Sequence, residues 1–341
     1  MTEVTRAGGY LGLGFGLLVA LGSAACVDSS ARTTPEGSPP HAVLRIGADP
    51  FMTSLAQELS RTVSRVEFRR SALSGDLTAA IQRNEVDLAL VPANTAYFTY
   101  VESAQSGVAQ DDQLRVISAL LVTPFILVVR PESGIRSVRD LSGHTIARSA
   151  ARRPPGPTAR PTAGSASPSS SVDAMRVTEL VLTAFGVLDK VKLVGGLTVD
   201  ELTTGFKNGT LDAAFGTAYF LREAFGALTA GGARLVPVEG AEINELVQRF
   251  PFIRRTIVSR DAYPGQARAV RTIGVDLLLA CRNGLDADLV YDLTRQYFAT
   301  LPALLAVTHS VGRVELERAA ASPIPLHDGA ARYYRESELY R

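Results

Sequence analysis

The stretch that decides the fold reads DLTAAIQRNEVDLALVP, from Asp76 to Pro92, and it has a counterpart later in the chain. At a constant offset of 125 positions lies ELTTGFKNGTLDAAFGT, from Glu201 to Thr217, in which Asp212 falls on Asp87. Repeats that build solenoids recur at much shorter periods, of roughly 20 to 50 residues. The separation of the two copies therefore predicts two similarly built lobes.

A short tetrapeptide, TAYF, also recurs near the end of each copy. It occupies Thr95–Phe98 and Thr217–Phe220, so that three residues must be dropped to align it. On this alignment Tyr97 and Tyr219 hold equivalent places in the two lobes and could face each other. Packing within an aromatic core is the other common fate of such a tyrosine, and the sequence leaves both open.

Each copy has the pattern of a helix, a turn and a buried strand. The strands VDLALV and LDAAFG are apolar on both faces, which is typical of parallel strands covered by helices. Another such unit precedes each copy, beginning with the strands AVLRIGA at 42–48 and HTIARSA at 144–150. Both halves of the chain are therefore predicted to run β-α-β-α-β.

Two long apolar segments are predicted to connect the halves. One spans residues 115–134 and is interrupted at Thr123-Pro124, and the other spans residues 270–282. Open α/β sheets place ligands beyond the ends of their strands, and two connected lobes leave a cleft there. The predicted fold class is α/β, with two similar lobes of mostly parallel sheet joined by two hinge crossings.

These patterns give the predicted domain boundaries. Residues 42–121 and 269–341 form lobe 1, and residues 122–268 form lobe 2. Residues 27–41 are polar and rich in Pro, Ser and Gly, which predicts a flexible tether.

The first 26 residues are predicted to be a signal peptide. No charge occurs from Tyr10 to Cys26, a length that suits an export signal and is marginal for a membrane span of about 20 residues. The small residues Ser23-Ala24-Ala25 precede Cys26 directly. Lipidation of Cys26 is the first interpretation, with simple cleavage and an uncleaved anchor as alternatives. All three place the protein outside the cytoplasm.

The composition argues against several functional classes. The formal net charge is +1, and no run of Lys and Arg interleaves with aromatic residues, so a nucleic-acid partner is not expected. The four histidines are scattered, without a partner three or four residues away, which argues against a metal site. Cys281 lies in an apolar run and is expected to be a buried thiol without a disulfide.

Nothing in the sequence compels catalysis. The chain lacks a G-x-S-x-G motif, which α/β hydrolases require. Asp87 and Asp212 recur at a junction between a turn and a strand. An acid in that position more often satisfies backbone amides than performs chemistry. We therefore predict no catalytic residue and no cofactor.

Several segments resemble one known family. They are RFPFI at 249–253, AYPGQ at 262–266, GLDADLVYDLTRQYF at 284–298 and PIPLHDGAARYYRE at 323–336. They resemble the TAXI group of TRAP-transporter solute-binding proteins, over nearly all of residues 42–338. These are two-lobed receptors of the type II periplasmic binding protein fold. The chain departs from the family pattern at Asp328, where Pro is usual after the histidine.

The resemblance implies binding without chemistry. A small organic anion, such as a dicarboxylate or an amino acid, would be captured between the lobes and delivered to a TRAP-type membrane permease. The protein would work in the periplasm or on the outer face of the cell membrane, with the lipidated N-terminus as its membrane contact.

The resemblance also supplies the candidate ligand-binding residues, although several depart from the family pattern. Asp49 replaces part of a Gly/Thr-rich loop and either caps the next helix or faces the ligand. Ser74 matches the pattern, whereas Asn94 does not. The full set is Asp49, Ser74, Asn94, Tyr97, Thr123, Arg148, Ser149, Thr217, Tyr219 and Tyr263.

The largest departure is the tract ARRPPGPTARPTAGSASPSSS at residues 151–171. It stands where the family has a Gly/Ser-rich loop that holds an anion, and its composition predicts a disordered insertion. One interpretation is a surface loop in a receptor whose specificity has changed or vanished. The other is that Arg148, Arg152 or Arg153 replaces the backbone contacts with guanidinium contacts to a carboxylate.

Two further functions remain open from the sequence. One is a divergent two-lobed sensor or scaffold that has lost transport and acts through protein contacts. The other is an enzyme built on the same fold.

Overall fold

The first half of the chain forms the β-α-β-α-β unit that its sequence predicts. The computed structural model describes residues 43–48, 52–68, 77–148, 168–308 and 318–337, and gives residues 111, 168–175, 219–221 and 302–308 by their backbone alone. The elements of this half are β1 (Leu44–Gly47), α1 (Thr53–Thr62), β2 (Val66–Phe68), α2 (Leu77–Gln82), β3 (Leu88–Pro92) and α3 (Ala93–Ser106).

One strand, β4 (Leu114–Val129), leads out of the first half. The second half then repeats the order of elements. It contains β5 (Thr145–Arg148), α4 (Pro168–Ala184), β6 (Lys192–Val194), α5 (Val199–Asn208), β7 (Ala213–Thr217) and α6 (Ala218–Ala230). Short 3-10 turns occur at Gln110–Asp112, Pro131–Ser133, Val138–Leu141 and Leu188–Lys190.

The remaining elements complete both lobes. They are β8 (Arg234–Val236), α7 (Ala241–Arg249), β9 (Arg254–Val258), β10 (Val270–Arg282), α8 (Ala287–Thr308) and α9 (Asp328–Glu336). In the described part of the chain, no helix combines the length and the apolar character that crossing a bilayer requires.

The sheet has the strand order β2-β1-β3-β10-β4-β7-β5-β6, with β8 on β4 and β9 on β10. At one end β1 is parallel to β2 and β3, and at the other β5 is parallel to β6 and β7. Between them β4 and β10 run antiparallel to each other and to their neighbours. Two parallel sets joined by two long strands confirm the predicted fold class.

The strand β4 changes partner where the sequence predicts a hinge. Up to Pro124 it pairs with β10, with Pro124 opposite Gly274, and from Phe125 it pairs with β7, with Phe125 opposite Thr217. Proline has no N–H to donate to a ladder, so it fits the point of exchange. The two apolar runs of the sequence are one continuous strand that serves both lobes.

The repeat holds in the structure at the full offset, and the alignment of TAYF is wrong. Residues 88–92 and 213–217 form the equivalent strands β3 and β7, and each is followed at once by a helix. Tyr97 is therefore the fifth residue of α3, whereas Tyr219 is the second residue of α6. The structural counterpart of Tyr219 is Asn94, because helix starts are set by the strand ends and not by the shared letters.

Helix α4 begins earlier than its apolar pattern suggests. It starts at Pro168, so the last four residues of the tract 151–171 are helical. Proline is favoured in the first turn of a helix, where its missing N–H is not needed. The rest of that tract lies outside the described residues.

The C-terminal helix α9 is fastened to lobe 1 by buried polar contacts. His327 is 2% exposed; its Nδ1 accepts from Gly329 N at 3.2 Å, and its Nε2 lies 3.1 Å from the carbonyl oxygens of Asn283 and Leu285. Tyr334 donates to the Ile117 carbonyl at 2.9 Å. A Cβ at Gly329 would collide with backbone atoms of α8, so only glycine permits this close packing.

Candidate functional site

The start of α3 is the best candidate for a ligand contact in the described part of the chain. It follows directly from the end of β3, where an open α/β sheet places its ligands. Pro92 precedes the helix and provides no side-chain cap, although the first N–H groups of a helix need partners. Residues 93–96 are all buried, with exposures of 2% or less.

Two side-chain oxygens in this first turn lack a partner. Asn94 and Thr95 are each 2% exposed, and neither Asn94 Oδ1 nor Thr95 Oγ1 has a hydrogen bond within the described structure. Buried polar atoms are paired in the great majority of proteins. Unpaired side-chain atoms in the first turn of a helix, whose N–H groups have no partner within the helix, are what a site for a small polar ligand requires.

Tyr97 lies in an aromatic cluster that joins the two lobes. Its ring is 5.2 Å from that of Phe252, and the Phe98 ring is 5.3 Å from the same partner. Phe250 adds a fourth ring, 5.5 Å from Phe252. The segment RFPFI, noted above only for its resemblance, supplies the lobe 2 half of this cluster. Aromatic packing is thus one role of Tyr97, and it closes the lobes upon each other.

A charged contact lies beside the aromatic cluster and was missed by sequence reasoning. Arg176 of α4 places its guanidinium 4.8 Å from the Phe98 ring centre and 3.3 Å from Glu102 Oε1 of α3. No pattern in the sequence indicates that these two helices meet. Stacking of arginine on an aromatic ring and its pairing with a carboxylate both favour the closed arrangement.

Arg148 is the last residue of β5, at the second set of strand ends. Its Nη1 pairs with Glu179 of α4, whereas its Nε is buried and has no partner in the described structure. The side chain retains 29% of its exposure. Arg148 therefore has a donor to offer a ligand, although part of its charge is already balanced by Glu179.

The other predicted residues are distributed over the fold. Thr123 and Thr217 are each 3% exposed and lie on β4 and β7, close to the point where β4 changes partner. Tyr263 packs edge-on against Phe225 of α6, with ring centres 6.3 Å apart, and is 8% exposed. Burial raises the pKa of Tyr263 to about 12. Tyr263 is thus part of the lobe 2 core packing and not of the aromatic cluster.

Four predicted residues lie outside the described residues: Asp49, Ser74, Ser149 and Cys26. Tyr219 is described by its backbone alone, in the first turn of α6. The ligand roles of Tyr219, Asp49, Ser74 and Ser149 stay predictions, and so does the lipidation of Cys26.

The repeated aspartate of lobe 1, Asp87, has a structural role. It accepts from the Arg45 backbone N–H at 2.8 Å, and its two oxygens accept from Arg45 Nε and Nη2 at 2.8 and 2.9 Å. Burial opposes ionisation, but these hydrogen bonds outweigh it and hold the pKa of Asp87 below its usual range. The carboxylate fastens β1 to the turn before β3.

Asp212 fastens the strand β5 in lobe 2, as Asp87 fastens β1, but with different partners. It accepts from the Thr145 backbone N–H at 3.0 Å and from Arg130 Nη2 at 2.9 Å, and His144 Nδ1 lies at 3.2 Å. Burial opposes ionisation of the carboxyl group, but these hydrogen bonds outweigh it and lower the pKa of Asp212. Both aspartates thus satisfy backbone amides.

Metal and thiol chemistry have little support here. Within the described ranges, no group of three or more His, Cys, Asp or Glu side chains is placed to hold a metal ion. Cys281 is a free thiol at 0% exposure, and burial raises its pKa. A thiol in such surroundings is inert.

Comparison with known proteins gives one family and a set of distant structures. The model of the NMT1-like family matches residues 52–337. An ATP-bound protein from Xanthomonas citri shares 14% identity at a TM-score of 0.48, over 88% of this chain and 100% of that one.

Two other solved structures show similarly low sequence identity and TM-score. The MOPS-bound alkanesulfonate-binding protein SsuA from Xanthomonas axonopodis pv. citri shares 18% identity at a TM-score of 0.44, covering 79% of this chain and 75% of that one. An arginine-specific periplasmic binding protein from Salmonella typhimurium shares 12% identity at 0.43, covering 80% and 100%.

Proposed function

Because the chain belongs to the NMT1-like family, we propose that it is an extracytoplasmic solute-binding protein that holds a small organic anion between its lobes. The single observation that supports this most strongly is the pair of buried, unpartnered oxygens at the start of α3. A ligand that supplies their missing partners would gain more there than at the surface, since hydrogen bonds strengthen where water is excluded.

The chemistry of the groups points to the class of ligand. The N–H groups at the start of a long helix attract negative charge, and the Thr95 hydroxyl and Arg148 Nε are further donors. The amide oxygen of Asn94 requires a donor from the ligand instead. A carboxylate that also carries an amino or hydroxyl group satisfies both demands, as an amino acid or a hydroxy acid does.

The lobe contacts give the binding a mechanism. The aromatic cluster and Arg176 hold α3 against lobe 2, and β4 and β10 connect the lobes. A ligand that contacts both lobes favours the closed form by its extra affinity for that form. No step of this mechanism changes a covalent bond.

A thermal-shift series with amino acids, hydroxy acids and dicarboxylates tests the proposal. A ligand of the folded protein stabilises it increasingly as its concentration exceeds Kd. Thr95→Val should leave the free protein as stable or more so, because its hydroxyl has no protein partner, yet should remove most of the shift. The control is Thr294→Val, whose hydroxyl donates to Val290 O in the core of α8; it should lower stability and keep the shift.

A flat response to all these acids would instead favour a two-lobed sensor or scaffold that acts through protein contacts. An equal shift in wild type and Thr95→Val would place the ligand elsewhere.

Delivery to a TRAP-type permease is the finer part of the proposal, and it rests on the sequence resemblance to TAXI receptors. Such permeases draw on an ion gradient. Membrane vesicles from the native host, given the loaded protein and a sodium gradient, should therefore take up the solute without ATP. A requirement for ATP hydrolysis would point to an ABC permease. An export signal and lipidation at Cys26 are tested by mass spectrometry of the membrane fraction.

A further inference from the structure

The strand β9 is an edge of the sheet. Among the described residues it pairs with β10 alone, in a register that sets Ile257 opposite Arg271 and Arg255 opposite Ile273. An unpaired edge is a template for a further strand, and proteins usually protect such edges.

The backbone groups of two β9 residues point away from β10. The carbonyl of Arg271 accepts from Val238 N at 3.1 Å, on the side of β10 opposite to β9. The N–H and C=O of one residue in a strand point to the same side, and the side alternates along the strand. Ile257, paired with Arg271, therefore directs its N–H and C=O outward, and so does Arg255.

The side chains of the same two residues are exposed. Ile257 is 59% exposed, and it is one of only two large apolar side chains so exposed in the described structure. Directly opposite it, the Arg271 side chain is 77% exposed. A surface pocket of about 510 Å³ lies here, with Ile243 and Asn244 of α7 on one side and Arg255, Ile257 and Arg271 on the other.

The region around β9 is strongly basic in a chain of nearly balanced charge. Residues 249–271 contain six arginines and one acid, Asp261, whereas the whole chain has a formal charge of +1. Arg254 is largely buried against Asp276, and the other five arginines are exposed. Among these, Arg255 also donates a hydrogen bond to Asn244 of α7. Arg271 lies 3.6 Å from Glu239, which balances only part of this charge.

We propose that β9 binds an extended acidic segment of a partner protein as an added strand. The outward backbone groups of Arg255 and Ile257 supply the hydrogen bonds, a carboxylate lies opposite Arg255, and an apolar residue two positions away covers Ile257. Strand addition takes its affinity from the main chain and its selectivity from alternate side chains. A second copy of this chain is disfavoured, because it would bring two arginine-rich edges together.

A set of short peptides tests this surface directly. The probe is acetyl-Thr-Glu-Thr-Val-Thr-Glu-Thr-amide, which reads the same in both directions and so fits a parallel or an antiparallel strand. Its controls are the same peptide with lysine for glutamate, and with proline for valine. Fluorescence anisotropy of labelled peptides gives the affinities, and amide hydrogen exchange gives the location.

The acidic peptide should bind, and the lysine and proline peptides should bind at least about fivefold to tenfold more weakly. New exchange protection should appear at the Arg255 and Ile257 amides, with little change at Thr256, which already faces β10. Arg255→Glu should weaken the acidic peptide and strengthen the lysine one. Ile257→Pro should also weaken binding of the acidic peptide, because it removes an outward N–H. It leaves the β9–β10 ladder intact, and edge strands tolerate proline at such a position.

The matched control is Arg61→Glu, a charge reversal at a 77% exposed side chain on α1, which should leave the affinity unchanged. No binding of the acidic peptide, equal binding of the lysine peptide, or protection away from β9 would each overturn the proposal. Because none of these measurements involves the solute, the proposal and the solute-binding function can fail separately.

Discussion

Asp87 and Asp212 bind the first strand of their own lobes through a backbone N–H, at 2.8 and 3.0 Å, but their surroundings differ. In lobe 1 one arginine supplies both the backbone and the side-chain contacts, and it lies 42 residues before the aspartate. In lobe 2 the backbone contact comes from a threonine 67 residues earlier, and the side-chain contacts come from Arg130 and His144. Both lobes have the hydrogen bond from a strand's backbone N–H to the aspartate, and they differ in the side chains that contact that aspartate.

The strand ends show the same division of roles. After β3 the helix α3 places Asn94 in its second position, and after β7 the helix α6 places Tyr219 there. The aspartates that fasten the strands recur in the two lobes, whereas the residues at the second position of α3 and α6 differ. A duplicated fold is thus free to vary at the cleft as long as its strand contacts remain.

The largest effect is expected from Asp87→Ala. It would remove the acceptor of three hydrogen bonds from the Arg45 N–H and guanidinium, and at about 1 kcal/mol each this loss amounts to about 3 kcal/mol. Urea unfolding of the variant should show this loss in the free energy of unfolding. A loss below about 1 kcal/mol would mean that the carboxylate does not fasten β1.

Gly274→Ala should cost about 1–3 kcal/mol by overpacking. The added Cβ would lie 2.7 Å from Val122 Cγ1 and 2.9 Å from the Thr123 carbonyl oxygen, where β4, β9 and β10 meet. Since this joint serves both lobes, hydrogen exchange should quicken in both. The control is Gly226→Ala in α6, where nothing lies within 4 Å of the new Cβ and stability should hold or rise.

Asp212→Ala should cost about 2 kcal/mol, less than the change at Asp87. Thr145 N and Arg130 Nη2 donate two hydrogen bonds to Asp212, against three from Arg45 to Asp87, and each contributes about 1 kcal/mol. Urea unfolding again measures it. Equal losses at the two aspartates would remove the distinction between the lobes.

The smallest predicted effect is a loss of stability in mild acid, and it should reach α9 in lobe 1 before it reaches lobe 2. Burial lowers the pKa of His327 from 6.5, so the folded state binds fewer protons than the unfolded state below about pH 6.5. The stability contributed by neutral His327 is present above that pH and declines as the pH falls towards the lowered pKa. Exchange in α9 should therefore quicken in mild acid before exchange in lobe 2 does.

His327→Asn, which keeps a helix cap but does not titrate, should remove this acid response. An unchanged response in the variant would assign it to another group. The two aspartates act only at lower pH: their lowered pKa values mean that their contribution is lost as the pH falls below about 3.9.

The architecture was readable from the sequence because it rests on repeated local patterns. The offset of Asp87 and Asp212 located β3 and β7, and the interruption at Pro124 located the exchange of partners. The letters TAYF misled, because a helix start depends on where the preceding strand ends. Identity over four residues carries no such information.

The candidate site was harder to predict, because it depends on contacts between distant segments. The family resemblance pointed to Asn94, whereas nothing in the sequence pointed to its neighbour Thr95. The contact of Arg176 with Phe98 and Glu102 joins helices that no pattern pairs. Burial and the absence of a hydrogen-bond partner are properties of the folded chain, and a sequence does not display them.

The exchange of partners along β4 also bears on how the molecule can move. Pro124 donates no N–H in the middle of a strand that both lobes share, so a change of direction at this point breaks fewer backbone hydrogen bonds than one elsewhere along β4. The two lobes would then rotate relative to each other about Pro124, and the helices of each lobe would move with it as a rigid body. Under the proposed function, a ligand that contacts both lobes would favour one end of this rotation.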